Sequence, residues 1–244
     1  MLALAVVALS VGCERKPAAA PPSIVMIMVD TLRADYLGSY GFRGPISPNL
    51  DRLAAESVVF DRCYSQAPWT KPAIASLFTG LDPVVHRVLT HRGRFTDKTV
   101  AAESLETDVL PQAAVTLAET LQAVGYDTAA FISNPWIRKA HGFDQGFAHF
   151  DERFTGNDTP ADVILDSARA WLTKRDDERP YFLYLHFMDV HDPYDAPDED
   201  VAVVRGSESL TADRQIDRKQ LPPGMMRAML DKGCLLYTSP SPRD

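Results

Sequence analysis

The chain has 244 residues, 45% hydrophobic and 24% charged, which is enough apolar mass to bury a sizeable core in a globular fold. A net charge of −8 argues against a basic nucleic-acid-binding face, although a local cationic pocket can sit inside an acidic protein. There is no Gly-rich phosphate loop, since neither GxGxxG after an apolar run nor GKS/T occurs.

The first segment, "MLALAVVALSVGC", is an apolar run too short to span a bilayer, and "ERKPAAAPP" follows it. A small residue before a cysteine, then a Pro/Ala-rich tether, resembles a bacterial lipoprotein signal. Residues 1–13 are therefore expected to be the export signal, Cys13 the lipidated residue and 14–22 the tether. That places the protein outside the bacterial cytoplasm, periplasmic or at the cell surface, held to the membrane by a lipid anchor. Ser10 and the lack of a basic n-region depart from that pattern.

"SIVMIMVD", Ser23 to Asp30, is a continuous apolar run ending on an acid and predicts a strand buried on both faces. "ISPNLDRLAAES" predicts a helix with Ser47 as N-cap, Pro48 at its first position, and Leu50, Leu53 and Ala54 on one apolar face. "VVFDRCYS" reads as a strand or extended segment, with Cys63 as a small core residue. "PAIASLFTG" gives two helical turns stopped by Gly80. "TLAETLQAVG" carries a capping box, Thr116 with Glu119, an apolar line through Leu117, Leu121 and Val124, and a stop at Gly125. "DTAAFIS" reads as a strand, "TPADVILDSARAWLTKR" as a helix capped by Thr159, and "YFLYLHFMD", Tyr181 to Asp189, as a third buried strand. Strands alternating with amphipathic helices define an α/β fold with a mostly parallel sheet. The catalytic domain is assigned to residues 23–233. "CLLYTSPSPRD", residues 234–244, reads as the translation of a transposon adapter used in DNA library preparation. On that reading native sequence stops near Gly233 and the fold is truncated.

In such sheets ligands bind beyond the carboxyl ends of the strands, which selects Asp30, the Asn134 region and Asp189 to His191. Thr70 joins them if its helix starts at the same edge. Two roles are open to Thr70: capping that helix, or serving as a reactive hydroxyl at the positive end of its dipole. Asn134 suits an anion contact or a turn before Pro135. His186 suits a satisfied core histidine or a functional one. Arg33 holds the loop after Asp30 or pairs with Asp35. His141 and His149 read as turn residues, and His86 and His91 as surface groups or groups behind the site.

The stretches "VDTLRADYLGSYG", "SPNLDRLAAESVVFDRCYSQAPWTKPAIASLFTGLDPVVHRV", "TLAETLQAVGYDTAAF", "HGFDQGFAHFDE" and "PYFLYLHFMDVHDPY" follow one another in an order that resembles the N-terminal part of the sulfatase family, within the alkaline phosphatase superfamily. The resemblance implies a three-layer α/β/α sandwich that cleaves sulfate or phosphate esters with a metal-bound nucleophile. It implies Asp30 as a ligand of a divalent ion (zinc, manganese or calcium), and Thr70 as nucleophile and second ligand. It further places Asp189, His186 and Asn134 against the substrate and His191 at the transferred group or its leaving oxygen. Sulfatases proper carry Cys or Ser, converted to formylglycine, within Cys/Ser-x-Pro-Ser-Arg. This chain has Thr70, Lys71, Pro72, Ala73 and Ile74 instead, so formylglycine chemistry is not expected. Thr31 replaces a second aspartate, and Ser133 falls where the family has a lysine, a charge that Lys71 is placed to supply.

The expected function is hydrolysis or transfer of a small-molecule, glycan or lipid ester of sulfate or phosphate through Thr70. The alternatives are a true sulfatase and a non-catalytic binding lipoprotein of the same fold. No histidine after Tyr194 supplies the remaining metal ligands, so this chain by itself is expected to be inactive.

Overall fold

Three apolar runs rich in β-branched and aromatic residues form adjacent strands of one parallel sheet. The computed structural model describes residues 21–89, 91–92, 106–152, 159–175 and 178–191. Cys13, the signal and the tether up to residue 20, the "PGMMRAMLDKG" stretch and the tail at 234–244 lie outside the described residues. The strands β1 (Ile24–Val29), β4 (Asp127–Ile132), β5 (His149–Glu152) and β6 (Tyr181–Phe187) run in the order β1-β6-β4-β5, all parallel. Two short strands, β2 (His91–Arg92) and β3 (Glu106–Thr107), make a separate antiparallel pair.

Among the described residues five α-helices accompany them: α1 (Pro48–Ala55), α2 (Thr70–Thr79), α3 (Pro83–His86), α4 (Leu117–Ala123) and α5 (Ala161–Lys174). Alternation along the strands splits the core into two layers. On one face Ile74, Ala75 and Phe78 of α2 and Ala118 of α4 pack on Ala130, Ile132, Phe182 and Tyr184. On the other, Ile164 and Ala168 of α5 pack on Ala129, Phe131, Leu183 and Leu185. Helices on both faces of a parallel sheet give the expected α/β/α sandwich.

Local chemistry explains the best-defined elements. Thr116 accepts from the Glu119 N–H at 3.1 Å while Glu119 accepts from the Thr116 N–H at 2.8 Å, the reciprocal cap expected of that spacing. Gly80 closes α2 in the left-handed region at φ 67°, where a side chain is disfavoured.

Other expectations are corrected. β1 is only half-buried: Ile24, Met26 and Met28 face the α2 layer and Val29 packs on the α5 layer, while Val25 (49% exposed) and Ile27 (59%) are open. The sequence run fixed its hydrophobicity but not what lies against it. Leu50 and Leu53 of α1 are exposed, because α1 is held by its polar side. Ser47 Oγ donates to Asp51 Oδ2 and accepts from the Gly38 N–H, and Asp51 Oδ1 accepts from the Ser39 N–H. Val58 to Ser65 forms no strand and bends at Asp61, and Phe60, Tyr64 and Cys63 are exposed rather than in the core. α5 takes Pro160, not Thr159, as its N-cap.

Candidate active site

Parallel strands end their carboxyl termini along one edge, and the polar residues that follow each strand meet there. Asp30 directly follows β1, and its N–H donates to Phe187 O at 2.9 Å, extending the β1–β6 pairing by one residue. Its side chain is 11% exposed. Thr31 then turns the chain through the left-handed region at φ 57°, a costly conformation for a β-branched residue. Its hydroxyl donates to Val190 O at 3.0 Å, so the loops after β1 and β6 are tied together.

Two donors and a histidine nitrogen converge on one oxygen of Asp30. The Thr70 hydroxyl donates to Oδ2 at 2.8 Å and the Asn134 amide donates to it at 2.8 Å, while Nε2 of His186 lies 3.4 Å away. Asn134 is oriented unambiguously, because its Oδ1 accepts from the Trp136 N–H at 2.8 Å and its amino group is left facing Asp30 and the Met188 sulfur. Burial pushes the Asp30 carboxyl up, but the hydrogen bonds from His186 and Thr70 and the fields of His186 and His191 outweigh it, so its pKa lies below the ordinary aspartate value.

Thr70 is at the first helical position of α2, with Trp69 as N-cap, and its hydroxyl donates to Asp30 rather than accepting from the helix. The capping alternative is thus not what the structure shows. Lys71 is fully buried in the same helix, where burial lowers its pKa to about 8 against the opposing pull of Asp108.

The remaining candidates sort by position. The Asp189 carboxylate accepts from the Ala161 N–H at 2.9 Å, at the start of α5. His191 turns back over Met188, donating its N–H to that carbonyl at 2.8 Å, near enough to Asp30 to act on its charge. Ser133 is buried with its hydroxyl donating to His186 O, so Asn134 and not Ser133 presents the polar group to Asp30. Arg33 pairs with Asp35, its Nε donating at 2.9 Å, and its guanidinium lies over Tyr36. His86 is fully buried instead of at the surface: Nδ1 accepts from the Val88 N–H, which leaves Nε2 to donate to Ser76 Oγ. His141 reaches the Trp136 carbonyl in a turn, while His149 sits exposed on β5 against Phe131.

The family model described as Sulfatase matches residues 22–232. The chain belongs to the sulfatase family. It is 28% identical over 172 residues to the N-acetylgalactosamine-6-sulfatase of Homo sapiens, covering 66% of this chain and 31% of that protein. It is 27% identical over 181 residues to the N-acetylglucosamine-6-O-sulfatase of Bacteroides thetaiotaomicron, covering 68% and 30%. Against the arylsulfatase A of Bos taurus the identity is 39% over 119 residues, covering 49% and 21%. This sulfatase-family chain therefore spans about a third or less of the length of these relatives. Among solved structures, the phosphonate monoester hydrolase of Agrobacterium radiobacter superposes with TM-score 0.56 at 20% identity, over 73% of this chain and 43% of that one. A protein solved with its substrate D-glucosamine-2-N,6-O-disulfate gives 0.56 at 24% identity, over 70% and 35%. These likenesses establish the alkaline phosphatase-like fold.

Sulfatases generally use a divalent metal ion. The Asp30 carboxylate and Thr70 hydroxyl are adjacent hard oxygen donors of the kind such an ion takes, so these two residues fit. Among the described residues no group of three or more His, Cys, Asp or Glu gathers around a common point.

Proposed function

We propose that the full-length protein hydrolyses or transfers sulfate or phosphate esters with Thr70 as nucleophile. The observation that carries this reading is the 2.8 Å hydrogen bond from Thr70 to Asp30, made at the N-terminus of α2 and beyond the carboxyl end of β1. Asp30 stays ionised and orients the Thr70 oxygen by accepting its proton-bearing side. Backbone N–H groups in the first turn of α2 favour an anionic ester beside that oxygen. A divalent ion held by Asp30 and Thr70 would lower the hydroxyl pKa, letting its proton leave to solvent, and would screen the ester charge. Thr70 Oγ then bonds to phosphorus or sulfur as the ester bond breaks. The departing alcohol takes a proton from His191, and water later cleaves the threonyl ester to restore the hydroxyl.

Threonine at position 70, with Ala73 and Ile74 beside it, favours phosphoryl transfer over formylglycine chemistry. The second reading, a true sulfatase acting on sulfated glycans, is favoured by relatives whose names specify 6-sulfated amino sugars. The inert reading, a binding lipoprotein, draws on Thr31, Ser133, Ala73 and Ile74; export and lipid anchoring at Cys13 are proposed from the sequence alone.

The test is turnover of an aryl phosphate diester and an aryl sulfate by the full-length protein with added zinc, manganese or calcium. Thr70→Ala is expected to lower phosphate-ester turnover by about a thousandfold or more. Turnover of the sulfate ester alone, abolished in the same variant, would sink the phosphate preference. Bound metal that is lost in Asp30→Ala would exclude the inert reading.

A further inference from the structure

Two buried side chains behind Asp30 take no part in the steps just described. Tyr184 and His186 stand two residues apart on β6 and so share one face of that strand. Both are fully buried. The Tyr184 hydroxyl lies 2.8 Å from Nδ1 of His186, and Nε2 of the same ring lies 3.4 Å from Asp30 Oδ2. Phe78 meets the Tyr184 ring edge to face at 4.9 Å, and Phe78 belongs to α2, the helix that begins with Thr70.

This arrangement selects one tautomer. A neutral imidazole offers one donor and one acceptor nitrogen. The phenol keeps its proton, since burial and the charge of Asp30 raise the Tyr184 pKa well above its ordinary value. When it donates to Nδ1, Nε2 carries the ring proton and directs it at the carboxylate. The opposite tautomer would set a nitrogen lone pair against a negative oxygen. At 3.4 Å the last contact is a long and weak hydrogen bond. Thr70 and Asn134 approach the same oxygen at 2.8 Å each, and the histidine approaches from the floor of the site.

We propose that His186, locked in its Nε2–H form by Tyr184, is a positioning residue that holds the Asp30 carboxylate in register with Thr70 and does not touch substrate. The proposal rests on the reading of Asp30 as a metal ligand. It differs from the sequence expectation for His186, which placed that residue against the substrate. Partners of ligating carboxylates act this way, and losing one typically weakens metal affinity or activity about 10–100-fold.

The test uses the full-length protein in two arms. In the first, metal-free protein labelled with nitrogen-15 is examined by long-range proton–nitrogen correlation near neutral pH, with His186→Gln assigning the His186 signals by their loss. The expected result is an acceptor-type Nδ1 and a protonated Nε2, with the two nitrogens averaging in Tyr184→Phe. An Nδ1–H ring or a doubly protonated ring in the wild type overturns the proposal. In the second arm manganese alone is titrated into each variant, with affinity counted per folded molecule by circular dichroism. Tyr184→Phe and His186→Leu should bind it about 10–100-fold more weakly. His186→Gln, whose amide still donates toward Asp30, should fall nearer the wild type. Equal affinity in wild type and His186→Leu, or no manganese binding by the wild type, overturns the proposal. Thr70→Ala keeps the two readings apart: ester turnover surviving in that variant sinks the nucleophile and leaves the His186 results standing.

Discussion

Thr70 donates its hydroxyl hydrogen bond to a carboxylate 40 residues away, although a threonine capping a helix ordinarily accepts from a backbone N–H two or three residues ahead of it. Its neighbour Lys71 is the more unusual residue energetically, being fully buried with a pKa pulled from 10.5 to about 8. Between those values the unfolded chain binds more protons than the folded one, so this group destabilises the fold fully below about pH 8. That penalty fades as pH rises through 10.5, by at most about 3 kcal/mol. Urea unfolding of wild type and Lys71→Met should therefore differ progressively in favour of the wild type as pH rises across this window. A difference that stays constant with pH would show that the lysine is solvated. Neither property of these residues was legible in the sequence. The motif spacing located Thr70 and Asp30, but only folding decides whether a hydroxyl donates or accepts, or that Lys71 faces inward.

Secondary-structure elements were most legible where local chemistry determines them. The Thr116–Glu119 spacing announced the start of α4, and the hydroxyl is further committed by donating to Gln145 O at 2.9 Å from a fully buried position. Thr116→Ala is expected to cost about 2 kcal/mol, the upper end of the capping range, read as a lower urea midpoint with unchanged slope. A loss no larger than that of an exposed threonine would mean that α4 is held by packing alone. β4 and β6 were equally clear because their apolar runs are covered on both faces. Where partners decide, the pattern misled: Leu50 and Leu53 mark an apolar stripe on α1 that ends up exposed, and Val58 to Ser65 has strand composition without a strand to pair with. The alternation of Phe182, Tyr184 and His186 in "YFLYLHFMD" did carry a signal for the floor of the site. It puts the histidine at the carboxyl end of a face that is otherwise aromatic.

At the scale of the whole molecule, the described sheet is asymmetric. β5 ends it on one side, and β1 ends it on the other with Val25 and Ile27 open to solvent. An apolar outer strand is a template for pairing with another chain. Ile27→Lys should change stability by no more than about 0.5 kcal/mol, because the side chain is 59% exposed, while reducing self-association of the 244-residue chain in light scattering. Unchanged scattering would place the sticky surface elsewhere, and a large loss of stability would mean that Ile27 is covered in solution.

The strand order also sets a timetable. Among the described residues β1 pairs with β6, and Asp30 lies 156 residues ahead of the histidine beneath it. During synthesis the first strand leaves the ribosome long before Phe187 has been translated. Closing so long a loop to form a parallel pair is slow. Until then the Asp30 loop has no floor and Val25 and Ile27 have no neighbouring strand, so before β6 emerges the growing chain is in the state where a holdase would bind it best.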